Sequence, residues 1–120
     1  MPFQYFTVAG NILVMQISSE ITDDKFRIIC REIEQATTAL GKVRLVLEFK
    51  HYPSLNSAED LYDDLRFVKL YAKCIEKVAI VYDKSWKRTW VGLFSAFSGV
   101  EMDFFDISEK NELTGWIHAE

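Results

Sequence analysis

The run KVAIVYD (77–83) is almost wholly apolar and rich in branched residues. A strand with so few polar positions belongs at the centre of a sheet rather than at its edge. The rest of the chain has to be organised around it. Before it, FQYFTV (3–8) and ILVMQIS (12–18) read as strands, with Gly10-Asn11 between them as turn chemistry. They predict an antiparallel hairpin. VRLVLEF (43–49) alternates, with Val43, Leu45, Leu47 and Phe49 on one side and Arg44, Val46 and Glu48 on the other. At this strand, one sheet face is therefore expected to be largely polar and open to water. EMDFFDI (101–107) reads as the last strand.

Helical patterns separate these strands. In DDKFRIICREIEQATTAL, Phe26, Ile29, Ile33, Ala36 and Leu40 recur at helical spacing. Thr22 suits the N-cap, Asp23 and Asp24 suit the positive helix start, and Gly41 suits the stop. Ser57 opens a second helix, with Asp60 in a capping-box arrangement and an inner stripe of Leu61, Leu65, Val68 and Ala72. Residues 84–99 read as a third helix, and Ser108 as the cap of a short closing helix. The order β-β-α-β-α-β-α-β-α predicts an α/β fold: a five-stranded, mostly parallel sheet with an antiparallel first strand and four helices. With 120 residues and no linker or repeat, one domain spanning 1–120 is expected.

The totals narrow function. Hydrophobic residues make up 49% and charged residues 27%, as in a soluble globular chain. A net charge of −4 argues against broad nucleic-acid binding. The start MPFQYFTVAGNILVMQ lacks the basic region of a signal peptide, and no run approaches a membrane span, so a cytoplasmic protein is expected. Cys30 and Cys74 read as buried free thiols, far from any zinc spacing.

Several chemistries find no support. There is no Gly-x-Gly-x-x-Gly or Walker loop for a nucleotide, and no Gly-x-Ser-x-Gly elbow or recognisable Cys/His pair. At the C-terminal strand ends stand Ser19, Glu20, Lys50, His51, Asp83, Lys84 and Asp106. His51 with Asp83 and Asp106 makes a poor metal set, and a solvated rim histidine is the better reading. The acidic run Glu59, Asp60, Asp63 and Asp64 complements a helix dipole. No catalytic residue, cofactor or metal is expected.

The third-helix segment KSWKRTWVGLFSAFSG concentrates Trp86, Trp90, Leu93, Phe94 and Phe97 on about one third of a helical circle. Lys84, Lys87 and Arg88 lie on the flank and far side. Such a stripe either packs on the sheet or forms a pocket wall able to meet lipid, with the cations against anionic headgroups. The second helix adds Tyr62, Phe67, Leu70 and Tyr71 beyond its inner stripe. Together the two helices are expected to wall an apolar pocket near the C-terminal strand ends.

The openings GNILVMQISSEITDDKF and GKVRLVLEF, the central EDLYDDLRFVKLYAKCIEKVAIVYDKSW and the closing SAFSGVEMDFFDISEKNELTGWI carry a resemblance. The chain resembles the SpoIIAA-like family of the STAS superfamily, in the branch likened to CRAL-TRIO lipid-binding domains. That resemblance implies a small non-enzymatic, regulatory module. Founding members are anti-anti-sigma factors phosphorylated in an Asp-Ser-Ser-Gly-like turn. Here the turn reads PSLNSAED, with Ser54 and Ser57 as the nearest hydroxyls, and Ser57 is accounted for as an N-cap. The branch implies instead a nonpolar ligand or membrane association through Trp86, Trp90, Phe94, Phe97, Phe67 and Tyr71, with Lys84, Lys87 and Arg88 at headgroups. The rival expectation is an anti-anti-sigma-like regulator docking a protein partner without the phosphoserine motif. A homodimer using the excess aromatics is a third.

Overall fold

The computed structural model describes residues 3–8, 10–17, 23–49, 66–86, 88, 91–92, 97 and 99–119. Strand β1 (Phe3–Val8) and strand β2 (Ile12–Ile17) form the antiparallel hairpin. Helix α1 (Asp23–Leu40) leads to β3 (Val43–Phe49), and helix α2 (Arg66–Leu70) to β4 (Ile75–Tyr82). A 3-10 turn (Lys84–Trp86) follows, then β5 (Glu101–Asp106) and helix α3 (Lys110–His118). The sheet order is β1-β2-β3-β4-β5, and every pair after the first is parallel.

That order has a consequence for layering. Strands that are neighbours in sequence are also neighbours in space, so crossovers of one hand all fall on one face. The first face therefore receives α1 and α2, with Phe97 from the β4–β5 connection. Its core holds Leu45, Leu47 and Phe49 from β3, Ile29 and Ile33 from α1, Phe67 and Val68 from α2, and Phe97. Burying side chains of this size stabilises by about 1.5–3 kcal/mol each. The second face holds Ile12, Val14, Val46, Ala79, Val81 and Phe105, covered by Ile117 with the half-buried Leu113 and Trp116 of α3.

Local chemistry explains the boundaries. Asp23 and Asp24 stand in the first turn of α1. The helix stops at Gly41, whose φ of +88° favours glycine and whose N–H donates to the Thr37 carbonyl at 2.8 Å. Gly10 turns the β1–β2 hairpin at φ +74°. Asn11 does more than turn the chain, since its amide donates to the Lys42 carbonyl at 2.8 Å and to Glu76 Oε1 at 3.2 Å. Cys30 and Cys74 are free and half-buried.

Some expectations need correction. The second helix ends at Leu70 and β4 starts at Ile75, two residues before the predicted start, because a turn closes between them with Cys74 N–H on the Tyr71 carbonyl at 2.8 Å. Phe67, set outside the predicted inner stripe, is fully buried with Val68, while Leu70 is 65% exposed. Ser108 does not cap α3. Its N–H and hydroxyl both go to the Asp106 carboxylate, and Glu109 occupies the N-cap without a side-chain cap bond. Glu109 Oε1 instead accepts the Asp106 N–H at 2.8 Å, which tightens the turn out of β5. Thr22 and Ser57 lie outside the described residues. So does most of the predicted third helix, of which Arg88, Val91 and Gly92 are helical.

Candidate functional site

The aromatic site expected on the first face is only partly within the described residues. Phe67 and Phe97 are 0% and 1% exposed and belong to one core cluster. Tyr71 packs at the edge of that cluster, and its hydroxyl donates to Glu34 Oε1. Glu34, by accepting this bond, pushes the phenol pKa up, and burial adds to the rise. Burial likewise pushes the Cys30 thiol up, so the thiol beside Tyr71 stays protonated at neutral pH. Lys84 and Arg88 are exposed, and Trp86 closes the 3-10 turn. Lys87, Trp90 and Phe94 lie outside the described residues, as do Ser54 and His51. The first face thus brings Phe67, Tyr71 and Phe97 together as core.

At the C-terminal strand ends, Asp83 and Asp106 are bound by the chain itself. Asp83 accepts the Ser85 N–H at 2.9 Å, and Asp106 accepts the Lys84 N–H at 2.8 Å. The Ser85 N–H holds the Asp83 carboxyl below its ordinary range. The Ser108 hydroxyl, with two backbone N–H groups, does so for Asp106. Both stay ionised and shape turns, which suits neither to donating a proton. Among the described residues no group of three or more His, Cys, Asp or Glu side chains is arranged to hold a metal ion.

The second face offers a different arrangement. Helix α3 lies over β4 and β5, and polar bonds fix its end. Arg44 Nη1 donates to the Ile117 and Ala119 carbonyls, both at 2.7 Å. Lys77 Nζ donates to the Trp116 and Ala119 carbonyls, both at 2.8 Å. The Trp116 carbonyl also accepts the Ala119 N–H at 3.3 Å, and a cation at a helix C-terminus meets the negative end of its dipole. Lys77 is 7% exposed, lies 4.9 Å from the Trp116 ring centroid and is 3.6 Å from Glu101 Oε2. Arg44 Nε reaches Glu76 Oε1 at 3.3 Å. The polar side of β3 is therefore not simply open to water, because Arg44 is spent on α3.

Beside the clamped helix runs a cleft of about 260 Å³. Ile12, Val14, Val46 and Val81 form its floor, and Leu113 and Ile117 form its helical wall. Glu48, Lys110, Thr114 and His118 complete the lining. Sequence reasoning missed this site by treating 110–118 only as a closing helix. Two signals were available: Val46 is apolar between Arg44 and Glu48, and Leu113, Trp116 and Ile117 make a helical stripe.

The fold and cleft define a small α/β module with a layer on each side of one sheet. The model of the SpoIIAA-like family matches residues 12–118, and the chain belongs to that family. A crystal structure of an uncharacterized protein from Shewanella loihica, of the DUF3478 family and with a SpoIIAA-like fold, is similar at a TM-score of 0.66. The match covers 96% of this chain and 91% of that one at 16% identity, and carries the fold alone. No curated protein matches. No helix among the described residues is long and apolar enough to cross a membrane.

Proposed function

We propose that the protein is a non-enzymatic binding module that takes a small nonpolar ligand in the cleft between α3 and the second sheet face. The observation that carries this reading is the cleft's apolar floor and wall beside a helix held in place by Arg44 and Lys77. Concave, mostly apolar sites with a few polar groups at the margin are what small-molecule sites look like. The sequence resemblance to the branch likened to CRAL-TRIO lipid-binding domains implies the same ligand class. It directs attention to the other face, where Phe67 and Phe97 are already consumed by the core.

Calorimetric titration with 1-octanol tests the proposal. Saturable binding to the wild-type protein, lost in Leu113→Lys with helical circular dichroism retained, is the expected result. Absence of saturable binding to the wild type would sink it. Flotation with anionic liposomes, accompanied by a blue shift in tryptophan emission, would move the site to residues 84–99 and to a membrane surface.

A further inference from the structure

We propose that the cleft selects an amphipathic amine, with a hydrocarbon body on the apolar floor and an ammonium group at Glu48. This rests on the cleft being the ligand site. Glu48 sits near the C-terminal end of β3, in register with Val81 of the floor, and lines the cleft in a half-buried position. Among the described residues, no hydrogen bond or ion pair holds its carboxylate. A half-buried carboxylate without a protein partner keeps its acceptor capacity. An ammonium group engages it through charge-assisted hydrogen bonds.

The nearest competitor is Lys110 on the same lining. It is exposed and makes no ion pair with Glu48, and its long stem can carry the charge into water. The surrounding charge favours a cation. Glu109 and Glu112 at the start of α3 offset the positive end of its dipole, Asp106 ends the neighbouring β5, and the chain carries a net charge of −4. A fatty-acid carboxylate would meet Glu48 with like charge. Because α3 runs back from the strand ends, the ammonium group lies where the helix begins. The hydrocarbon then follows the helix, about 13.5 Å long, toward His118.

Three probes that share one chain and differ in the head group test this: n-octylamine, 1-octanol and octanoate, titrated calorimetrically into the full chain at neutral pH. A hydrogen bond to a charged group predicts octylamine binding roughly tenfold or more tighter than octanol, with octanoate weakest. Glu48→Gln keeps the side-chain shape, and is expected to abolish the amine preference, read as the ratio of octylamine to octanol affinity within that variant. Octanoate binding as tightly as octylamine would overturn the proposal, as would an amine preference that survives in Glu48→Gln. If octanol binds and the preference is absent, only the amine selection fails. If no probe binds, the ligand site itself fails and the selection falls with it.

Discussion

On its first face the sheet is covered by elements that the chain must pass through anyway. Helices α1 and α2 lie between strands, and large apolar side chains such as Phe49 and Phe67, joined by Phe97, fill the core of that face. On its second face the cover is α3, which follows the last strand of the sheet. The apolar contact there is smaller, and Arg44 and Lys77 fasten the helix end by four hydrogen bonds to carbonyls. Hydrophobic burial is non-directional, whereas bonds from two fixed strand positions define where a helix stops. The first face is built for stability. The second keeps a cleft open beside a helix of fixed position.

The largest expected effect lies on the first face. Phe67→Ala should cost about 3–5 kcal/mol, measured by urea denaturation, and should lower protection of the whole sheet in hydrogen exchange. The second face should yield locally. Lys77→Ala removes two bonds and a buried cation, and should cost about 2–3 kcal/mol. Amides of 110–118 should lose protection well before those of β3 and β4. Equal loss across the sheet would break the comparison, because the two faces would then unfold as one unit. Arg44→Ala combined with Lys77→Ala should be non-additive, since both cations share the Ala119 carbonyl.

The smallest effect concerns pH. Hydrogen bonds from Ser108 and Lys84 lower the Asp106 pKa in the folded state. A carboxyl lowered on folding stabilises above its unfolded pKa, about 3.9. That contribution disappears as pH falls through the lower folded value. Asp106→Asn should therefore flatten the acid limb of a thermal-melting profile while shifting the neutral midpoint downward.

Much of the frame is legible in the sequence because strand and helix periods differ. Alternation in 43–49 separates Leu45 and Leu47 from Val46, and the structure places them in the two opposite cores. The spacing of Ile29 and Ile33 marks the buried side of α1, and Gly41 its end. The second-face clamp is not legible in this way. Arg44 and Lys77 read as solvated cations because their partners are carbonyls more than thirty residues away. Ser108 misleads for a related reason: a neighbouring carboxylate takes its hydrogens before a helix end can. Phe67 falls beside a stripe drawn from a longer helical pattern, yet the turn at 71–74 leaves it facing the core.

Which face receives a nonpolar ligand is read directly by a methyl-resolved NMR titration with 1-octanol. Saturable shifts concentrated at Val14, Val46, Leu113 and Ile117 are expected. Shifts concentrated instead at Leu45, Leu47 and Val68, with the second face unmoved, would contradict the cleft as the ligand site.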